Sequence, residues 1–197
     1  MKSSPSPFRT ITRKVLARNA VFDLYLDHLK GDDGTEIPEF LVVEPFYRYL
    51  NAYTGVIILP LINDRILLQQ VYRHPVGRWG WELPRGCINE NELPVRAAQR
   101  ELAEETGLFC DTDAMLSLGE IAPEPALVNG RVLIFIATSC REEPSLRQAE
   151  LECGERRLFS LEEIRAMIGS LDMNCSSSIA SIGLYFMKCV SGACPAP

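Results

Sequence analysis

Hydrophobic and polar positions change period several times along the chain, and each change marks an element. Residues 11–29 mix Ile11, Val15, Leu16, Val21, Phe22, Leu24, Leu26 and Leu29 with polar residues. The strict alternation through Phe22-Asp23-Leu24-Tyr25-Leu26-Asp27 predicts a strand. Gly31-Asp32-Asp33-Gly34 predicts a turn, and residues 39–49 a returning strand broken at Pro45. Residues 11–49 therefore read as an antiparallel hairpin or small sheet, preceded by a Ser- and Pro-containing lead, residues 1–10, expected to be disordered. Strands follow at 53–61 and 65–72, joined by the turn Ile62-Asn63-Asp64-Arg65, with a loop over 74–78. Further strands are predicted at 116–122, 132–139 and 156–160.

Helical spacing appears three times. From Pro94 the chain carries Ala97, Ala98, Leu102 and Ala103, and it stops at Gly107. Proline suits a first helical turn and glycine the position just past the last. Val95, Ala98 and Leu102 share one side of this helix, and Glu101, Glu104 and Glu105 an adjoining side. Ser160 and Glu163 have capping-box spacing ahead of Ile164, Met167 and Ile168. Residues 178–190 form a last helix with Ile179, Ile182, Tyr185, Phe186 and Met187 on its apolar side. Strands, helix, strands and two helices predict an α+β fold, a mixed sheet with helices on its faces over 50–197.

The 197 residues suffice for one full core. The net charge of -6 argues against a general nucleic-acid surface. No apolar run reaches the roughly 20 residues of a membrane span, so no membrane partner is expected. Seven cysteines without a CxxC pair point to reduced thiols in the cytoplasm, and two histidines make a zinc site or a Ser-His-Asp mechanism a poor fit.

Three carboxylates on one helix side repel one another, by about 0.2–0.5 kcal/mol per pair, and they sit at the end of the helix that disfavours negative charge. Read alone they are a solvated acidic helix end or a site for a hard divalent cation such as Mg²⁺ or Mn²⁺. Their spacing decides between the two. Gly86, five residues, Glu92, seven residues, Arg100-Glu101-Leu102, one residue, Glu104-Glu105, one residue and Gly107-Leu108 match the Nudix box at seven fixed identities and two apolar positions. The chain thus resembles the Nudix hydrolases. The resemblance implies a Nudix-type α/β/α sandwich, with Glu101, Glu104 and Glu105 holding Mg²⁺ (or Mn²⁺), helped by the backbone carbonyl of Arg85. It also implies that Arg100 pairs with Glu92 and pins the loop against the helix, with Gly86 and Gly107 as structural positions.

The flanks resemble the ADP-ribose pyrophosphatase and nucleotide-sugar hydrolase branch. Trp79-Gly80-Trp81-Glu82-Leu83-Pro84-Arg85-Gly86 contains the form Trp-x-x-Glu-Leu-Pro-x-Gly, which implies that Glu82 joins the metal or substrate shell. Trp79 and Trp81 are core packing or a platform for a base or sugar. Arg73 resembles an arginine that contacts substrate in related enzymes. Pro123 or Pro125 has the spacing of that branch, but Ala126 and Asn129-Gly130-Arg131 depart from its usual sequence. Arg131 is either an anion-binding residue or a solvated one. The acidic loop 141–155 lies where related hydrolases keep a general base, with Glu150 and Glu152 as candidates. The expected activity is Mg²⁺-dependent hydrolysis of the diphosphate linkage in a nucleoside diphosphate derivative, ADP-ribose first. The rivals are another NDP-sugar, a dinucleotide or a nucleoside triphosphate as substrate, or a non-catalytic nucleotide-binding module. The N-terminal region resembles one that crosses to the partner subunit in that branch, which implies a homodimer.

Overall fold

The structure is a computed structural model that describes residues 6–47, 49–50, 52–148 and 151–190, the side chains of 189 and 190 excepted. It opens with three antiparallel strands, β1 (Phe8–Arg18), β2 (Phe22–Gly31) and β3 (Glu36–Pro45), in that spatial order. The region is a small sheet, with two differences from the sequence expectation. The first strand begins at Phe8, inside the supposed disordered lead; residues 1–5 of that lead lie outside the described residues. The stretch 11–29 is also divided by a turn at Asn19, whose Oδ1 accepts from the backbone N–H groups of Val21 (2.8 Å) and Phe22 (2.7 Å). That side-chain turn has no glycine or proline, so its signal is weak.

The main sheet starts with the hairpin β4 (Tyr53–Ile62) and β5 (Arg65–Arg73). These strands pair only at Leu61↔Ile66 and Ile62↔Arg65, then separate. Two short strands occupy the freed edges. β6 (Arg78–Glu82) pairs with β5, and β7 (Arg85–Cys87) with β4. Neither is expected from the sequence: glycines, a proline and a length of three to five residues hide the period-2 signal. After the helix α1 (Pro94–Thr106) come β8 (Leu108–Phe109), β9 (Met115–Ile121), β10 (Arg131–Ala137), β11 (Arg141–Glu142) and β12 (Cys153–Phe159). β10 runs parallel to β4 and antiparallel to β9, β12 completes the sheet beside β5, and β8 and β11 form a separate ribbon.

β4 shows why this is a sandwich. Val56 and Ile58 face α1, packing with Ala97, Ala98, Leu102 and Phe135. Ile57 and Leu59 face the other way, packing with Ile134, Ile136, Ile164 and Ile182. A strand buried on both faces reads as a continuous apolar run, as Val56-Ile57-Ile58-Leu59 does. The second layer is α2 (Leu161–Gly169) and α3 (Ser176–Val190). The Ser160 capping box is formed: Ser160 Oγ accepts from Glu163 N–H (3.2 Å) and Glu163 Oε2 from Ser160 N–H (2.7 Å). At the end of α1, Gly107 takes φ +73° and donates its N–H to Ala103 O, in the left-handed conformation that favours glycine. Among the described residues no helix is long and apolar enough to cross a membrane.

The N-terminal sheet docks on the loop before β10 through main-chain bonds. Val43 N–H donates to Leu127 O and Asn129 N–H to Val43 O, both at 2.9 Å.

Candidate active site

Because β4 and β5 separate, a cleft of about 570 Å³ opens between them. Its lining includes Glu101 and Glu105 of α1, Arg85 and Gly86 of β7, Arg73 of β5 with Glu152 beside it, and Phe22 of the N-terminal sheet. The size suits a small-molecule ligand.

The acidic wall has been built by close packing. A Cβ at Gly86 would collide with the Glu101 carboxylate, so only glycine lets β7 run this close to α1. Glu105 is also buried; its Oε2 accepts from Gln69 Nε2 (2.7 Å) and from the backbone N–H of Arg85 (3.0 Å). Glu104 points elsewhere, to Arg100 Nη1 (3.1 Å) and Gln148 Nε2 (2.9 Å). The helix therefore presents two carboxylates to the cleft and one to its rim. Among the described residues no three His, Cys, Asp or Glu side chains converge as a ready metal cluster.

Arg100 is the counter-charge. It binds Glu92 through Nε (2.9 Å) and Nη2 (2.8 Å), Glu101 through Nη1 (2.7 Å), and the carbonyl of Cys87 through Nη2 (2.9 Å). The Arg100 hydrogen bonds, with the Asn89 N–H and the Arg100 charge adding to them, draw the Glu92 carboxyl below the usual range against the effect of burial. One guanidinium thus ties the loop before α1 to the acidic face of α1.

The basic wall is held from behind. Glu82 is buried and grips Arg73 through two bonds (3.0 and 2.7 Å) and Arg85 Nη2 (3.0 Å). Burial would push the Glu82 carboxyl up, but the Arg73 hydrogen bonds and the charges of Arg85 and Arg73 outweigh it and leave it below its ordinary value. Glu82 is thereby a fixed anion that positions two arginines at the cleft.

The remaining expected residues divide. Glu152 lines the cleft, and its carbonyl accepts from Tyr72 N–H at 2.8 Å; Glu150 lies outside the described residues. Pro123 lines the cleft, whereas Pro125 is exposed two residues on. Arg131 pairs with Glu120 at 2.6 Å and lies over the Tyr53 ring, while its neighbour Val132 faces the cleft. The tryptophans are not at the carboxylates. Trp81 packs edge-on against Phe159 in the core, and Trp79 lies beside Tyr72; both line a separate cleft next to α2. Sequence reasoning missed Gln69 and Phe22. A glutamine inside the apolar run of β5 was the available signal for the first; Phe22 looked like any inward strand residue.

The donors fit a hard divalent cation. Glu101 and Glu105 are buried carboxylate oxygens on one helix face, one turn apart, with Gly86 leaving room at Glu101. Beside Glu105, Gln69 Oε1 is buried with no hydrogen-bond partner among the described residues. Oxygen-only donors of this kind match Mg²⁺ or Mn²⁺.

Residues 53–174, more than half of the chain, match the family model described as NUDIX domain. The chain belongs to the Nudix family. Its relatives include an ADP-ribose pyrophosphatase of Mycobacterium tuberculosis (strain ATCC 25618 / H37Rv), 32% identical over 138 residues. That match covers 68% of this Nudix chain and 61% of the mycobacterial protein, so just under two thirds of the relative's length is spanned. An ADP-ribose pyrophosphatase of Bacillus subtilis (strain 168) is 24% identical over 158 residues, 79% of this chain and 77% of that one. A CMP-5'-(N-acetyl-N-hydroxy-3-aminopropyl)phosphonate hydrolase of Streptomyces rubellomurinus is 40% identical over 126 residues, 59% of this chain and 60% of that one. The crystal structure of an ADP compounds hydrolase has the same fold, with a TM-score of 0.79 over 98% of this chain and 100% of that one, at 18% identity. That likeness extends over the N-terminal three-stranded sheet as well as the sandwich, whereas the family model begins at residue 53.

Proposed function

We propose that this Nudix enzyme hydrolyses the diphosphate linkage of a nucleoside diphosphate derivative, ADP-ribose foremost, giving AMP and ribose 5-phosphate with Mg²⁺, or Mn²⁺ in its place. The observation that carries this is the cleft: its lining brings together buried carboxylates, two arginines clamped by Glu82 and an aromatic ring from the N-terminal sheet. Relatives named ADP-ribose pyrophosphatase support the choice of substrate.

Glu101 and Glu105 would hold the divalent ion, with Glu104 and the Arg85 carbonyl as further candidate ligands. When bound, the ion supplies charge neutralisation of the diphosphate and activation of the attacking water. Arg73 and Arg85 offer N–H donors to phosphate oxygens, and Glu82 keeps both in place, so little reorganisation is needed as charge develops. Glu152, which lines the cleft, takes the proton of the attacking water. Phe22 supplies apolar area for a base or sugar.

The test is a competition among ADP-ribose, ADP-glucose, GDP-mannose, NADH, diadenosine polyphosphates and 8-oxo-dGTP at one Mg²⁺ concentration, ranked by kcat/KM. ADP-ribose should lead. A nucleoside triphosphate ahead by tenfold or more would overturn the substrate assignment, and no turnover of any would overturn the hydrolase reading.

The enzyme is further proposed to be a homodimer. β1 is exposed along its whole length, showing Phe8, Ile11, Val15 and Leu16, and it is an edge strand of its sheet. Such an edge is normally covered. Sedimentation at micromolar concentration should give twice the 22.1 kDa of one chain, with an interface above about 1,000 Å². A clean monomer would remove the dimer.

A further inference from the structure

Cys110 and Cys140 flank the two-stranded ribbon of β8 and β11. The ribbon pairs Arg141 with Phe109 and Glu142 with Leu108, so the same register carried one step further sets Cys140 opposite Cys110. Glu143 N–H donates to Gly107 O at 2.7 Å, which makes 107 and 143 a hydrogen-bonded pair. Alternation along the ladder then makes 110 and 140 a non-hydrogen-bonded pair, the kind with Cα atoms about 4.5 Å apart. Consistent with this, the carbonyl of Cys110 turns away to accept from Gln99 Nε2 at 2.7 Å. Both side chains belong to one apolar cluster, where each thiol donates to a main-chain carbonyl, Cys110 to Asp111 O and Cys140 to Ala137 O, both at 3.6 Å. A separation near 4.5 Å is within the range a disulfide spans without moving the backbone.

We propose that Cys110 and Cys140 are a reversible dithiol–disulfide pair, oxidised by small disulfides of the glutathione type. Cys140 is the partly exposed sulfur and Cys110 the buried one, so the first step occurs at Cys140. Its sulfur attacks one sulfur of RS–SR, forming a Cys140–SR mixed disulfide; RS⁻ leaves and takes up the Cys140 proton as RSH. Cys110 sulfur then attacks the Cys140 sulfur, closing the internal bond and expelling the second RS⁻, which takes up the Cys110 proton. Overall the dithiol loses two electrons and the small disulfide gains them.

The bond would join the segment leaving α1 to the segment that leads into the loop 143–148. That loop closes on the acidic helix, Gln148 donating its N–H to Glu104 O (2.8 Å) and its side-chain amide to Glu104 Oε1 (2.9 Å). Oxidation would therefore brace the support of Glu104 without touching the cleft.

The full-length protein is incubated with glutathione disulfide, its remaining thiols are blocked, and it is digested with trypsin without reductant. Cleavage after Arg100, Arg131 and Arg141 places each cysteine in its own fragment, 101–131 and 132–141. The expected product is these two fragments joined and lighter by the two thiol hydrogens. The oxidised protein should melt roughly 5–10 °C higher, and dithiothreitol should reverse this. Cys140→Ala, a change at a partly exposed site, should lose both the linked fragments and the rise. Recovery of the two fragments singly with both thiols blocked would overturn the proposal. So would a stable glutathione adduct on Cys140 as the end product, or a bond from Cys110 to any other cysteine.

Discussion

Replacing Glu105 by Gln should lower kcat at least about 10²-fold while leaving the melting temperature within about 3 °C. The two halves of this result have different origins. A buried carboxylate facing the cleft contributes full negative charge to a bound cation, and an amide of the same shape does not. Folding depends instead on the two hydrogen bonds that Glu105 Oε2 accepts, from Gln69 Nε2 and Arg85 N–H. The glutamine carbonyl can accept both, and loss of a like charge one turn from Glu101 offsets any weakening by about 0.2–0.5 kcal/mol. Steady-state kinetics at saturating Mg²⁺, beside a melting curve, checks both halves. Near-normal kcat would remove Glu105 from the metal site. A large fall in stability with intact kcat would make it a purely structural carboxylate.

Arg100→Ala should have the largest effect on stability, about 2–4 kcal/mol, or roughly 5–15 °C in Tm. The guanidinium has five bonds to lose: two to Glu92, one each to Glu101 and Glu104, and one to the Cys87 carbonyl. Removal leaves three carboxylates near one another, with Glu92 and Glu101 largely shielded from water (16% and 11% side-chain exposure). Such groups cost more unpaired than an exposed ion pair would. kcat should fall as well, since the Arg100 bond that holds Glu101 against Gly86 is lost. A divalent cation should substitute in part for the missing charge, so added Mg²⁺ should raise the Tm of the variant more than that of the wild type. If Arg100→Ala melts within about 2 °C of wild type, the residue is not the counter-charge that these bonds describe.

The legible parts of the fold were those where several local signals agreed. α1 had proline at its start, glycine at its end and apolar residues at helical spacing, and it forms from Pro94 to Thr106. Ser160 and Glu163 behaved likewise at α2. β6 and β7 were illegible because Trp79-Gly80-Trp81 and Arg85-Gly86-Cys87 are too short and glycine-rich for a period; they are strands because the separated edges of β4 and β5 accept them. At the site, helical spacing correctly grouped Glu101 with Glu105, but it could not foresee that Arg100 and Gln148 would hold Glu104 at the rim. The tryptophans illustrate the same limit. Their composition suggested core packing or a stacking platform, while alternation along β6 puts both on one face, at the cleft beside α2 and away from the carboxylates.

The parting of β4 and β5 also sets what kind of change this site can survive. Glu82 is the last residue of β6 and Arg85 the first of β7, with only Leu83 and Pro84 between them. That two-residue link carries the chain from one edge of the gap to the other, and so couples the arginine wall to the carboxylate wall. Along a strand, a slip of one residue turns every side chain to the opposite face. Many substitutions at Leu83 or Pro84 would change local packing alone. A single insertion or deletion there would point Glu82 away from Arg73, or Arg85 away from Glu82, with every residue type still present. For this stretch the length of the link sets which way Glu82 and Arg85 face.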